Sequence, residues 1–204
     1  MAYNKFSIEK VQADFGVVIQ TVTNLFGTSA VQNITPSPLL KDTLANNTHL
    51  ALAINTKKAR SEFIVAPILM ELYRYFSTKQ KISLFSGVEL TADKERGLNG
   101  RCDFIISLDQ EQLLLTSPII TLVEAKKDNV ANGFGQCIAE MIGAQLFNQQ
   151  KNKPLDTIYG VVTTGSNWKF LKLNQNVISI LAGEIYIDQI EVILGTLATM
   201  IENK

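Results

Sequence analysis

The sequence predicts an α/β fold, and three observations lead there. From residue 56 onward, helix-like and strand-like patterns follow one another in the order helix, three strands, helix, strand. The run Ile119-Ile120-Thr121-Leu122-Val123 is apolar and β-branched, a composition that favours a strand. With 204 residues and a 46% apolar fraction, the chain is long enough to bury a substantial core as one domain.

Taken in order, residues 7–26 read as an amphipathic helix, with Val11, Phe15, Val18, Val22 and Phe26 at three- and four-residue spacings and Gly27 as its natural end. After a loop with Pro36 and Pro38, residues 39–54 read as a second helix, with Asn46-Asn47 as a candidate break. Residues 1–55 thus form a helical N-terminal extension, assigned to packing, substrate contact or dimerisation in falling order. Residues 56–76 are again helical, with Pro67 marking a kink or a break because it lacks an amide donor. Residues 81–90 alternate as a strand, and the turn residues 93–100 lead into the run Gly100-Arg101-Cys102-Asp103-Phe104-Ile105-Ile106, so the two strands should form a hairpin. A second turn at 109–112 precedes a third strand over 113–127, interrupted near Ser117-Pro118. A loop at 129–135 opens a helix over 136–149, with Ile138, Met141, Ile142, Gln145 and Leu146 at helical spacing. Residues 158–163 read as a buried strand, 168–173, 177–181 and 184–187 as shorter strands, and 190–201 as a closing helix.

Composition narrows the class. No run approaches the roughly 18 apolar residues of a membrane span, and the start Met-Ala-Tyr-Asn-Lys-Phe-Ser lacks an apolar signal segment, so a cytoplasmic protein with no membrane partner is expected. Cys102 and Cys137 sit in apolar contexts without partner spacing, as reduced structural thiols do. The formal net charge is +0, so bulk electrostatics announces no nucleic-acid binding. Charge can still be segregated, with Lys94, Arg96 and Arg101 near one turn and Lys126, Lys127 and Lys169 near other strand ends; the same residues read equally well as a solvated rim.

The chemistry concentrates where the third strand ends in Glu124-Ala125-Lys126-Lys127. Residues two apart on a strand share a face, so Glu124 and Lys126 point the same way. If the strand of Asp103 pairs beside them, one Mg²⁺ or Mn²⁺ ion can bridge the two carboxylates, an arrangement suited to phosphodiester hydrolysis. Blander readings stand beside each residue: an Asp at a strand end bonding backbone amides, and a charged strand terminus entering a loop.

These residues resemble the signature of the PD-(D/E)xK nuclease superfamily. The matching positions are Asp103, Glu124 and Lys126, preceded by Glu62 in Arg60-Ser61-Glu62-Phe63-Ile64-Val65-Ala66-Pro67, which is similar to the acidic first helix of many members; Cys102 stands where the motif has proline. The resemblance implies a restriction-endonuclease-like α-β-β-β-α-β core over residues 56–164, with a mixed central sheet flanked by helices. It implies Mg²⁺ or Mn²⁺ held by Asp103, Glu124 and the Ala125 backbone carbonyl, with Lys126 orienting the water or stabilising charge. Glu62 is either a second-metal or water-mediated ligand or an exposed helix residue, and Gln136 either braces the site or merely starts its helix; Glu140, one turn on, reads as a surface residue. The implied partner is nucleic acid, DNA first, with a homodimer where both strands are cut. The alternative is a nuclease-fold protein that binds nucleic acid or a protein partner without cutting.

Other chemistries find less support. His49 is the single histidine, which with unclustered cysteines argues against zinc. Gly133-Phe134-Gly135 lacks the third glycine of a dinucleotide-binding turn, where Ile138 stands instead. Trp168 reads as core or rim packing before it reads as a base-stacking platform.

Overall fold

The computed structural model describes residues 2–79 and 81–203. The first element departs from the sequence reading. Helix α1 (Ile8–Phe15) is capped by Ser7 and stops at Gly16, whose φ of 65° takes the left-handed turn that glycine adopts freely. The β-branched residues beyond it form strand β1 (Val18–Val22), which pairs in parallel with a strand near the C-terminus. Val18 and Val22 are four apart, a spacing that serves helix and strand alike; Gly16 and the β-branched run decide for the strand. The N-terminal region is therefore not all helical, because it supplies one edge of the sheet.

Helix α2 (Pro38–Ile54) starts from a Ser37 cap with proline in its first turn and runs unbroken through Asn46, whose amide donates to the Asp42 carbonyl at 2.8 Å. Next come α3 (Lys57–Arg60), a π-helical turn (Ser61–Val65) and α4 (Ala66–Phe76). Pro67 does not end the helix: the π turn just before it shifts the hydrogen-bond ladder where proline has no donor.

Strands β2 (Ser83–Asp93) and β3 (Leu98–Ser107) form the expected hairpin, and β4 (Ile119–Ala125) pairs antiparallel with β3. β4 begins only after Pro118, so residues 113–118 are loop rather than strand. Helix α5 (Phe134–Gln150) then crosses to β5 (Thr157–Thr163), which lies parallel to β4. Strands β6 (Asn167–Asn174), β7 (Val177–Leu181) and the two-residue β8 (Ile185–Tyr186) precede the final helix α6 (Ile190–Glu202). The eight-stranded mixed sheet has the order β1-β7-β6-β5-β4-β3-β2, with β8 beside β6.

Every residue of β4 and β5 is buried, as expected for central strands covered on both faces. One core unites α4 and α6 with Phe104, Val123, Val161 and Trp168. The other unites α1 and α5 with Ile105, Leu122, Val162 and Leu171. Trp168 belongs to the core, its indole N–H donating to the Gly165 carbonyl at 3.1 Å. Cys102 and Cys137 are buried free thiols. Among the described residues no helix is long and apolar enough to cross a membrane.

Candidate active site

The β3–β4 register pairs Phe104 with Val123 and Ile105 with Leu122. One step further along, Asp103 comes level with Glu124. The Asp103 carboxylate accepts a hydrogen bond from the Ala125 backbone N–H at 2.8 Å, so the strand end itself fixes it. The Lys126 backbone N–H donates to the Thr163 carbonyl at 2.7 Å, which extends the β4–β5 contact past the last strand residue and holds the lysine at the C-terminal end of β4.

Glu124 is fully buried and is served from three sides. Lys126 Nζ lies 2.8 Å from Oε1, Lys57 Nζ lies 3.3 Å from the same oxygen, and the Gln136 amide donates to Oε2 at 2.8 Å. Lys57 also reaches Asp103 Oδ2 at 2.8 Å, so one ammonium joins both carboxylates. Gln136, in the first turn of α5, accepts from Lys126 Nζ at 2.9 Å and donates a second hydrogen bond to Glu140 Oε1 at 2.9 Å. Its amide therefore sets the positions of acid and lysine together.

Electrostatics follows from burial. Desolvation, then repulsion from Asp103, raises the Glu124 carboxyl above its ordinary range, while Lys57 and Lys126 pull the other way. Glu140 is pushed up further, first by burial and then by Glu124. Burial opposes the charge on Lys57, but Glu124 and Asp103 together outweigh it and hold the ammonium's pKa above its usual value.

Asp103, Glu124, Lys126 and Gln136 are thus gathered as the sequence suggested. Glu62 is not. Its side chain is 51% exposed and pairs with Lys58 at 2.9 Å, one turn back on the same helix. It lines, with Lys57, Ser61, Gly87 and Asp103, a cleft of about 360 Å³ that reaches Asp103. A cleft of about 410 Å³ lies elsewhere, between Leu39, Leu72 and Leu194, and is apolar. Of Ala125, the backbone N–H is the group seen in contact with the site.

Two members went unrecognised in the sequence. Glu140 is no surface residue: it is fully buried, and its Oε2 has no hydrogen-bond partner. An amphipathic reading of α5 put it outside, whereas the N-terminal segment covers that side of the helix; a Cβ on Gly143, three residues on, would run into the Tyr3 hydroxyl. Small residues at Gly135, Ala139 and Gly143 were the available signal. Lys57 follows the Thr56 cap of α3, and nothing local links it to residues 46 and 67 positions away. Gly133 has a spatial role too, since a Cβ there would lie 2.4 Å from Val162 Cγ1 and 3.0 Å from Lys126 Cε.

Among the described residues, no group of three or more His, Cys, Asp or Glu side chains converges as a metal cage. The donor chemistry nevertheless fits a hard divalent cation. Two carboxylates with an ammonium between them already favour positive charge at that point, and Mg²⁺ characteristically takes one or two carboxylates and completes its shell with water and phosphate oxygens. Comparison of the sequence with protein-family models and with curated proteins returns no match, so the chemistry of this site is read from its own geometry.

Proposed function

We propose that the chain is a divalent-metal-dependent nuclease of the PD-(D/E)xK superfamily, with a restriction-endonuclease-like core, acting on phosphodiester bonds of nucleic acid and of DNA first. The observation that carries this reading is the pairing of Asp103 with Glu124 on adjacent strands, with Lys126 just past the end of β4 and all three tied by Ala125 and Gln136. The order helix, three antiparallel strands, helix and a strand parallel to the third supports it. Fold alone does not establish activity.

Asp103 and Glu124, with the Ala125 carbonyl, would hold Mg²⁺ or Mn²⁺, which when bound supplies charge neutralisation on the phosphate and a more acidic water. The chain's own residues do the rest. Lys126, held between Gln136 and Glu124, stands at the C-terminal end of β4, where it can orient the attacking water or stabilise negative charge on the phosphate in the transition state. Gln136 fixes that lysine and Glu124 in one frame. Glu62 and Lys58, at the cleft wall, face substrate rather than the reacting atoms. The protein is read as cytoplasmic, and cutting both strands of a duplex would call for a homodimer.

A second reading, a nuclease-like protein that binds without cutting, is favoured by one observation: Lys57 already pairs with both carboxylates, as a structural ion pair would. Cleavage of supercoiled plasmid, linear duplex, single-stranded DNA and RNA with Mg²⁺ or Mn²⁺ separates the two. Metal-dependent cutting, lost in Asp103→Ala and Lys126→Ala, is the expected result. No cutting on any substrate, together with no Mn²⁺ binding, selects the noncatalytic reading.

A further inference from the structure

Lys57 is the one side chain, among the described residues, that pairs with both Asp103 and Glu124. Lys126 touches only Glu124 and is tied from the other side by Gln136. Lys57 has no such second tether: its ammonium contacts are the two carboxylates, and its side chain is 44% exposed at the first position of a four-residue helix. It can therefore swing away without unmaking any other contact, provided another cation takes the carboxylates. A divalent ion carries more charge to the same oxygens than an ammonium does.

The cleft beside it is shaped to receive the displaced group's partner. Gly87 interrupts β2 with a φ of 67°, opposite Asp103, and a Cβ built there meets nothing within 4 Å. Glycine inside a strand with open space above it leaves backbone free for close approach by a ligand. Lys58, paired with Glu62 of the same wall, and Ser61 add an ammonium and a hydroxyl, donors that a phosphate group takes.

We propose, resting on the metal-dependent reading above, that Lys57 is an exchangeable counter-ion: it occupies the carboxylate pair in the metal-free protein and passes to a backbone phosphate of the nucleic acid in the Lys57–Gly87 cleft when a divalent cation binds. The exchange makes metal loading and substrate grip two parts of one event. No bond is made or broken in it.

The test has two arms. Mn²⁺ titration by calorimetry, without nucleic acid, compares the wild type with Lys57→Met and Lys57→Arg. Removal of the competing ammonium is expected to tighten Mn²⁺ binding roughly five- to tenfold in Lys57→Met, and Lys57→Arg stays near wild type. The second arm measures duplex oligonucleotide binding in a Lys126→Met background, which retains both carboxylates, with and without Mn²⁺. Adding Lys57→Met is expected to weaken duplex binding several-fold with Mn²⁺ and to leave it unchanged without. Mn²⁺ binding to Lys57→Met that is equal to or weaker than wild type overturns the exchange while leaving the nuclease reading intact, as does a duplex-binding loss of the same size with and without Mn²⁺. A wild-type protein that binds no Mn²⁺ overturns both. Lys57→Gln serves for the same comparison if the methionine variant does not fold.

Discussion

Gln136 has the most to lose at this site, because among the described residues it is the only hydrogen-bond partner of two acceptors. Replacing it with leucine strands Glu124 Oε2 and Glu140 Oε1, at present 2.8 and 2.9 Å from its amide nitrogen. A buried acceptor left unpaired costs roughly 1–3 kcal/mol, so Gln136→Leu is expected to destabilise the metal-free protein by roughly 2–6 kcal/mol. Glu140→Leu alone should be close to neutral, because it removes a fully buried acid whose second oxygen is already unpaired and leaves Gln136 bonded to Glu124. In the Glu140→Leu background the glutamine change strands one acceptor instead of two. Its cost should then fall by roughly 1–3 kcal/mol, a coupling of the size seen for contacting residues. Urea unfolding of the four proteins at neutral pH, read as midpoint shifts at constant slope, measures the cycle. Equal losses in the two backgrounds, within about 0.5 kcal/mol, would refute the assignment of Gln136 as the partner that holds Glu140. The same variants carry a pH signature. A carboxyl whose folded pKa is raised above its ordinary 4.5 stabilises the fold below that value and loses this contribution as pH rises toward the folded pKa. Wild type should therefore lose stability upward from about pH 4.5, and Glu140→Leu should flatten that slope, leaving the part due to Glu124, which is raised in the same direction.

Three further outcomes follow from other contacts. Asn148 is buried in α5, where its side chain accepts from the Ile119 N–H at 2.7 Å and donates to the Ile119 carbonyl at 2.8 Å, so Asn148→Leu should cost roughly 2–6 kcal/mol in urea unfolding. Gly133→Ala presses a methyl on Val162 and on the Lys126 stem; we expect about 1–3 kcal/mol of destabilisation together with slower cleavage at saturating substrate, while calorimetric Mn²⁺ affinity is retained. Glu62→Ala removes only a half-exposed pair with Lys58 and should change stability by less than about 0.5 kcal/mol, and its plasmid-cleavage rate should fall far less than that of Asp103→Ala.

What the sequence disclosed follows from how far apart the deciding residues lie. The β2–β3 hairpin, β4, α5 and β5 are written in short-range patterns, alternation or helical spacing bounded by turn residues, and those patterns match the observed elements. Glu124 and Lys126 share a strand, so their common face is a matter of counting by two. The relation of Asp103 to Glu124 was legible only as a condition, because it depends on which strands pair and in what register. At residues 7–26 the apolar spacing suits two conformations, and the choice rests on the backbone of one glycine and on a partner strand, β7, that lies about 160 residues away.

The two unrecognised members of the site share one cause, and it bears on what the site can do. A polar residue on a helix is read as exposed when its neighbours are apolar on one side only, yet exposure is decided by what later covers the helix. Around Glu140 the covering segment comes from the chain start, with Tyr3 and Phe6 in the same core as Cys137 and Ile138. Lys57 arrives from α3, whose Arg60 donates to the Thr164 carbonyl just past the end of β5. Placing a lysine against a carboxylate pair lowers the cost of burying those acids without a metal. The protein thereby carries a binding point for positive charge that Lys57 already fills. That makes metal affinity, more than fold stability, the property on which Lys57, Asp103 and Glu124 should act together, and the Mn²⁺ titration of Lys57→Met against wild type reads that distinction directly.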